Sequence, residues 1–282
     1  MSDFFDRFPA TGYICAHRGA GSIAPENTLL AFTESRRCGV DLLEADVQAT
    51  ADGELVLFHD ESLKRTTDVA ERSEYSDRSP WKLSDFSLTE LQQLDAGSWF
   101  LKTDPFGTVA AAEVKKESFA AIEAQQVPLL HEVLDLCVQN NLPLNLEIKD
   151  QAGTAANGII VGKILSLLKT TRTEHLVLLS SFNHDYLRQV KQLNPAIATA
   201  ALVEKKHPEN LLDYLYDLKV DAYHPDQLIT DAELIKQLTA AGMRVSLWTV
   251  NDVERARYFS AAGATFICTD WPQRLIQSHH SA

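Results

Sequence analysis

The sequence has few cysteines, and their spacing indicates neither a redox motif nor a zinc site. Cys15, Cys38, Cys137 and Cys268 are the four cysteines in 282 residues, and no two of them form a Cys-x-x-Cys pair. Disulfide-stapled folds and zinc ribbons are therefore excluded, and we expect buried free thiols in a reducing compartment.

Long apolar runs and an excess of basic residues are also missing. No window approaches the roughly 20 apolar residues of a membrane-spanning helix, and residues 1–9 carry Asp3 and Asp6 instead of the apolar core of a secretory signal. The chain has 26 Lys and Arg against 39 Asp and Glu, which gives a net charge of −13. It therefore lacks the excess of basic residues that is typical of nucleic-acid-binding proteins. We therefore expect a cytoplasmic protein with no stable membrane insertion and no nucleic-acid partner. An anionic ligand would need a locally built positive site.

Short apolar runs alternate with helical patterns along most of the chain, and glycines at 39, 242 and 263 each end a helix before a strand. Repeated strand–helix units predict a parallel sheet. About eight units in roughly 250 residues predict an α/β fold, a (β/α)8 TIM barrel, with a doubly wound sheet as the alternative. We expect residues 1–282 to form one domain. The predicted strands are 13–17, 41–47, 54–59, 144–149, 176–181, 196–203, 222–223, 244–249 and 265–268, and the predicted helices are 26–38, 130–140, 156–169, 184–193, 209–218, 231–241 and 253–261.

Residues 61–127 break this rhythm, because only 88–94 has a convincing helical pattern between His59 and Pro128. A structureless loop of that length is improbable inside a compact domain. We therefore expect an insertion after the third strand-like segment, packed over one end of the barrel beside the active site. A surface excursion without a role is the alternative.

Two predicted strands carry charged side chains at alternate positions, although a parallel barrel strand is normally apolar on both faces. Glu44 and Asp46 share one face of the second strand, and Glu147 and Lys149 share one face of the fourth. A salt bridge such as Lys149 with Glu44 is one explanation. Because the pattern recurs, we favour a cation site in which Glu44, Asp46 and Glu147 supply hard oxygen ligands suited to Mg²⁺ or Ca²⁺.

Histidines follow the first and third predicted strands, where a barrel places its catalytic groups. His17 and His59 are therefore predicted to act as a general acid and general base pair. Either alone fits a structural histidine, but the nearby acids and Arg18, whose planar donor fork suits a phosphate, favour catalysis. Trp248, near the end of the strand at 244–249, is predicted to form an apolar wall for a substrate, with core packing as the alternative.

Taken in order, these motifs resemble the glycerophosphodiester phosphodiesterase family. The resemblance extends from about residue 14 to residue 275 and departs at His131, where the family usually has an acidic residue. The matching segments are His17-Arg18-Gly19, Pro25-Glu26-Asn27-Thr28, Glu44-Ala45-Asp46, His59-Asp60, Pro128-Leu129-Leu130, Glu132-Val133-Leu134, Leu146-Glu147-Ile148-Lys149, Trp248-Thr249-Val250-Asn251 and Thr269-Asp270-Trp271-Pro272.

The resemblance implies metal-dependent hydrolysis of glycerophosphodiesters to sn-glycerol 3-phosphate and an alcohol. It implies one divalent cation, Mg²⁺ or Ca²⁺, on the three carboxylates, acid–base catalysis by the two histidines, and positive charge from Arg18 and Lys149 beside the phosphate. In the implied route the neighbouring glycerol hydroxyl attacks phosphorus, and water then opens a cyclic phosphate. The alternatives are a lysophospholipase D acting on an acylated diester and a non-catalytic barrel that binds phosphoglycerol compounds. The head group, the cation, the roles of the two histidines and the oligomeric state stay open.

Overall fold

Eight parallel strands close into a ring in the computed structural model, which describes residues 3–280. Around the ring the strands follow the order β1, β9, β8, β7, β6, β5, β4 and β2, and β2 pairs back onto β1. The prediction of a (β/α)8 barrel is therefore confirmed. The strands are β1 Tyr13–Ala16, β2 Leu42–Ala49, β3 Leu55–Leu57, β4 Leu144–Ile148, β5 Val177–Ser181, β6 Ala198–Val203, β7 Ala222–Pro225, β8 Arg244–Leu247 and β9 Phe266–Thr269.

Helices connect the strands and cover the ring from outside. The first begins at Leu29 instead of residue 26, because the Thr28 hydroxyl caps it by accepting from the Ala31 amide. None of the helices among residues 3–280 is long and apolar enough to cross a bilayer. The helices are α1 Leu29–Cys38, α2 Leu88–Leu91, α3 Ser98–Thr103, α4 Phe119–Glu123, α5 Leu130–Asn140, α6 Ile160–Thr171, α7 His184–Leu193, α8 Leu211–Leu218, α9 Ala232–Ala240, α10 Val253–Ala262 and α11 Pro272–His280.

The third predicted strand does not run parallel to its neighbour, as the prediction of a parallel sheet requires. β3 runs antiparallel to β2, with Leu57 opposite Val47, and it lies outside the ring. A tight turn joins the two strands, and Gly53 adopts φ +81° in it, a left-handed conformation that favours glycine. No helix separates β2 from β3, so these two strands form a hairpin and not a strand–helix unit. β4 is therefore the third strand of the barrel, and the insertion follows the hairpin.

Alternate residues of β2 face opposite sides, as the period of two predicts. Leu43, Ala45 and Val47 join the large apolar cluster that packs the ring against its helices. Glu44 and Asp46 therefore point into the ring, where charge needs compensation.

An aromatic plug closes the end of the barrel at which the strands begin. Phe4, Phe5 and Phe8 are buried there and form one apolar cluster with residues inside the ring. The rings of Phe8 and Phe266 meet edge to face, with centroids 4.7 Å apart. The plug leaves the opposite end as the one open to substrate.

We expect Phe8→Ala to lower the free energy of unfolding by about 3–5 kcal/mol, because it leaves a cavity in a fully packed end. Denaturant unfolding monitored by circular dichroism measures this. The matched control is Leu228→Ala, since the Leu228 side chain is 81% exposed and its loss should cost less than about 0.5 kcal/mol. Equal midpoints for the two variants would show that the plug contributes no stability.

Residues 61–127 form two small apolar clusters instead of one long loop. The first cluster includes Val56 of β3 and Phe58 directly after it, and the second packs against Ile23 before α1 and Leu30 within α1. The predicted helix at 88–94 is α2, which is shorter and carries a capping box between Ser87 and Glu90. That residues 1–282 form a single domain stays a prediction.

Candidate active site

A cavity of about 360 Å³ opens at the end of the ring where the strands finish. Six of the eight residues predicted for the site line it, whereas Asp46 and Lys149 lie behind that lining and contact it. Among the described residues, no lining residue falls between 61 and 127. The lining residues are His17, Arg18, Glu44, His59, Asn145, Glu147, Ser180, Phe182, Leu202, Glu204, His224, Ser246, Trp248 and Cys268.

Three carboxylates gather on neighbouring strands at one side of this cavity. Asp46 of β2 pairs in register with Glu147 of β4, and Glu44 lies two residues before Asp46 on the same face of β2. One oxygen from each of the three lies within 4.8 Å of the others, and all three residues are at least 92% buried. This spacing and donor chemistry fit one hard divalent cation.

Burial raises the pKa of Glu44 to about 8, and repulsion from Asp46 and Glu147 adds to the effect against the attraction of His17 and Arg18. Burial and Asp46 also raise the pKa of Glu147. The pKa of Asp46 is lowered, because the charges of Lys149 and Arg18 outweigh its desolvation. Burial and mutual repulsion thus disfavour the charged forms of Glu44 and Glu147, and a bound cation would offset both effects.

Two cations border the carboxylates. Lys149 Nζ lies 2.7 Å from Glu147 Oε1 and 3.5 Å from Asp46 Oδ1, so its ion pairs differ from the suggested pair with Glu44. Arg18 Nη1 donates to Glu26 Oε1 at 2.9 Å, and the Arg18 backbone amide donates to a Glu44 carboxylate oxygen at 2.8 Å. The Arg18 guanidinium is therefore held at the cavity wall by its hydrogen bond to Glu26.

His17 is oriented by a carboxylate from the other end of the chain. Its Nδ1 lies 2.7 Å from Asp270 Oδ1, and Asp270 Oδ2 accepts from Asn251 Nδ2 at 2.8 Å. Burial and Arg18 lower the pKa of His17, but the hydrogen bond and charge of Asp270, together with Glu44, raise it further than that. Because Nδ1 is engaged, Nε2 is the nitrogen left for a ligand.

His59 has the same kind of arrangement, with an aspartate as the partner of its Nδ1. Its Nδ1 lies 2.6 Å from Asp60 Oδ1, and Asp60 in turn accepts from Arg65 Nε at 2.6 Å. Arg65 also holds Glu26 through two hydrogen bonds of 2.7 and 2.8 Å. The insertion therefore reaches the site through Arg65, behind His59 and Arg18, and does not line the cavity itself.

Asp60 and Asp270 are site residues that the sequence reasoning missed. Asp60 follows His59 directly, but this adjacency does not predict which way either side chain turns. Asp270 has no predicted role beyond its place in a matching segment, since nothing in the sequence connects it with His17, 253 positions away.

Two aromatic side chains, which follow β5 and β8, form part of the cavity wall. The rings of Phe182 and Trp248 meet edge to face with centroids 5.5 Å apart, and Trp248 Nε1 donates to the His224 carbonyl at 2.9 Å. Trp248 also packs against the apolar cluster inside the ring. It therefore contributes both to the cavity wall and to the core.

The residue pattern of the glycerophosphoryl diester phosphodiesterase family matches residues 17–274. A glycerophosphodiester phosphodiesterase of Caldanaerobacter subterraneus subsp. tengcongensis is 32% identical over 265 residues, which cover 93% of this chain and 96% of that protein. A human glycerophosphoinositol inositolphosphodiesterase is 41% identical over 143 residues, which cover 50% of this chain and 25% of that protein. The structure of an Oleispira antarctica phosphodiesterase in complex with the product sn-glycerol-3-phosphate superimposes with a TM-score of 0.82 and 29% identity, covering 100% of both chains. The matched segment contains both histidines and both of their aspartate partners.

Proposed function

Because this chain belongs to the glycerophosphoryl diester phosphodiesterase family, we propose that it hydrolyses glycerophosphodiesters to sn-glycerol 3-phosphate and an alcohol, using one divalent cation and two histidines. The observation that carries this proposal is a single cavity lined by His17 and His59, each oriented by an aspartate, and by two of three clustered carboxylates. We place the activity in glycerol and lipid metabolism in the cytoplasm. The four free cysteines support a reducing compartment.

Glu44, Asp46 and Glu147 are the residues that would hold Mg²⁺ or Ca²⁺, because they supply oxygen ligands at suitable spacing. When bound, the cation supplies Lewis-acid stabilisation of the charge on the phosphoryl group. Lys149, 2.7 Å from Glu147, keeps a second positive charge at the same edge.

The side chains of this chain then divide the remaining work. Arg18 donates charge-assisted hydrogen bonds to a phosphoryl oxygen, since its side chain lines the cavity and Glu26 fixes its orientation. One histidine takes the proton of the neighbouring glycerol hydroxyl as that hydroxyl attacks phosphorus, and the other gives a proton to the alcohol as its P–O bond breaks. Water then opens the cyclic phosphate with the proton transfers reversed. Trp248 provides an apolar wall for the substrate.

We expect Asp270→Asn to move one limb of the pH–rate profile to lower pH. Asp270 raises the pKa of His17, so its neutral replacement lowers that pKa. If His17 is the base, the acid limb moves down; if it is the acid, the alkaline limb moves down. The profile of kcat/KM across pH 5–10 measures this and also assigns the role of His17. Asp77→Asn, at an exposed position in the insertion, is the charge-matched control. Unmoved limbs would show that Asp270 does not act on a titrating catalytic group.

The function itself is tested by a product screen over glycerophosphocholine, glycerophosphoethanolamine and glycerophosphoinositol. We expect release of sn-glycerol 3-phosphate that stops with EDTA and returns with Mg²⁺ or Ca²⁺. Turnover that persists in EDTA would contradict the cation assignment, and no release from any diester would contradict the substrate class.

A lysophospholipase D activity is the second candidate, and one observation favours it. Phe182 is 42% exposed at the cavity wall, where it offers apolar surface to an acyl chain. Choline release from glycerophosphocholine and from lysophosphatidylcholine distinguishes the two functions. Activity on the acylated substrate alone would replace the first proposal with the second.

A further inference from the structure

One guanidinium of the insertion stands behind two residues of the site. Arg65 Nη2 donates to Glu26 Oε1 at 2.7 Å and to Asp60 Oδ1 at 2.9 Å. Glu26 Oε1 is also the atom that accepts from Arg18 Nη1, at 2.9 Å. Asp60 Oδ1 is also the atom that lies 2.6 Å from His59 Nδ1. A continuous series of hydrogen bonds therefore joins the two site residues, and its members in order are Arg18, Glu26, Arg65, Asp60 and His59.

Arg65 binds each of the two carboxylates with a pair of hydrogen bonds. Its Nε and Nη2 bind Asp60 at 2.6 and 2.9 Å, and its Nη1 and Nη2 bind Glu26 at 2.8 and 2.7 Å. A planar guanidinium offers donors in a fixed fork, whereas a lysine ammonium is a point charge on a flexible stem. The position of one carboxylate is therefore fixed relative to the other.

Both carboxylates are ionised and partly withdrawn from water, since the side chains of Glu26 and Asp60 are 16% and 26% exposed. Burial raises the pKa of Asp60, but the hydrogen bonds and charges of His59 and Arg65 lower it further than that. The pKa of Glu26 is lowered by the same balance, with Arg65 and Arg18 as the main cations. Without Arg65, two neighbouring anions would repel each other, and each is bonded to a residue of the site.

The insertion fixes the backbone that carries Arg65. Leu63 is fully buried in the first of the two apolar clusters, and its amide donates to the Trp81 carbonyl at 2.9 Å. The Thr67 hydroxyl donates to the Leu63 carbonyl at 2.7 Å. The Arg65 side chain itself is 43% exposed, and an isolated ion pair at such exposure contributes little to stability. We therefore expect the effect of Arg65 to appear in the geometry of the site.

We propose that Arg65 is a positioning residue that keeps Arg18 and His59 in one fixed arrangement, so that the insertion supports catalysis without lining the cavity. This inference rests on the proposed function, in which Arg18 binds a phosphoryl oxygen and His59 transfers a proton. Both tasks need the same placement of the substrate, and a displacement of about 1 Å can cost about 100-fold in rate. The proposal gives the insertion a role that a mere surface excursion would lack.

Arg65→Ala tests this proposal on the glycerophosphodiester that wild type hydrolyses fastest. We expect kcat to fall by about 10- to 100-fold, because two residues of the site lose their common support. The affinity for the cation, measured by calorimetric titration, should stay within about threefold of wild type, since Arg65 bonds to carboxylates other than the three proposed to bind the cation. Arg65→Lys keeps the charge but not the fork, so its kcat should stay at least about 3-fold below that of wild type.

Added guanidinium ion provides a readout that distinguishes positioning from a general loss of structure. Because the Arg65 side chain is 43% exposed, a free guanidinium ion can enter the space that Arg65→Ala leaves. Guanidinium chloride, well below the concentration that unfolds the protein, should raise kcat of this variant by at least about 5-fold, and methylammonium chloride should restore less. A variant damaged in its fold would instead lose activity, since guanidinium is a denaturant.

Arg72→Ala is the matched control, because Arg72 belongs to the same insertion. Its Nε donates to Asp68 Oδ2 at 2.7 Å and its Nη2 to the Gln93 carbonyl at 2.8 Å, so both of its partners belong to the insertion as well. This variant should retain the wild-type kcat. Circular dichroism and thermal unfolding show whether Arg65→Ala is folded, and Arg65→Lys provides the comparison of kcat if it is not.

Two results would overturn the positioning role and leave the phosphodiesterase function standing. The first is a kcat within about 2-fold of wild type in folded Arg65→Ala, or in Arg65→Lys if the alanine variant does not fold. The second is a loss in Arg65→Ala that guanidinium does not relieve, which would assign the effect to the structure of the insertion. Inactivity of wild type on every glycerophosphodiester would instead contradict the proposed function, and the positioning role with it.

Discussion

Glu44→Gln is expected to lower kcat by at least about 1,000-fold and, at the same time, to stabilise the cation-free protein. The pKa of Glu44 is raised to about 8 by burial and by Asp46 and Glu147. An acid whose pKa is raised by folding reduces stability at every pH above its unfolded value of about 4.3. A neutral amide removes that penalty, so we expect a gain on the order of 1–3 kcal/mol near pH 7–8.

Denaturant unfolding in EDTA and turnover assays with Mg²⁺ or Ca²⁺ measure the two halves of this prediction. Calorimetric titration with the same cations tests whether the lost turnover reflects weaker cation binding. Glu54→Gln removes the same charge from an exposed position in the β2–β3 hairpin and should change neither quantity. Wild-type cation affinity in Glu44→Gln would remove Glu44 from the ligand set. A lower stability in EDTA would show that its carboxylate is not under electrostatic strain.

His17→Ala and His59→Ala are each expected to lower kcat by about 100- to 10,000-fold, the range that general acid–base catalysis contributes. Neither histidine is among the three carboxylates proposed to bind the cation, so the affinity for the cation should stay within about threefold of wild type. Single-turnover kinetics and calorimetry together separate loss of proton transfer from loss of the cation. The double variant should be little worse than either single variant if the two act in one step.

His131→Ala is the control for these substitutions. His131 is exposed on α5 and does not line the cavity, so turnover should be unchanged. The same variant examines the one position at which the motifs depart from the family pattern. Full activity in both His17→Ala and His59→Ala would reject the acid–base assignment.

Much of the site is readable from the sequence because a strand's period of two constrains where side chains point. Charges at Glu44, Asp46 and Glu147 violate the apolar pattern of a buried strand, and the observed ring turns all three inward. His17 is predictable in the same way, since it directly follows β1.

The sequence pattern does not predict the antiparallel placement of β3, although a local signal for it exists. Asp52-Gly53 is a strong hairpin turn sequence, and reading it as such separates β3 from the ring. The strand–helix rhythm of the rest of the chain concealed it, because residues 54–59 have the composition of any barrel strand.

The partners of the site residues could not be predicted, because they come from distant segments. Asp270 reaches His17 from the position directly after β9, and Arg65 reaches Glu26 from the insertion. The plug of Phe4, Phe5 and Phe8 is a similar case: three aromatics near the start of the chain indicate burial but not which end of a barrel they close. Sequence patterns report which side chains are buried, whereas tertiary closure determines their neighbours.

The pairing of His17 with Asp270 also sets an order of events during synthesis. The two residues are 253 positions apart, so a ribosome adding about 5–20 residues per second makes the second one on the order of 13–50 s after the first. β2 is made early in that interval and β4 about halfway through it, whereas β9, which pairs with β1, is made at its end. The nascent chain can therefore collect its acidic ligands long before His17 acquires its partner, and activity is expected only when the last strand docks.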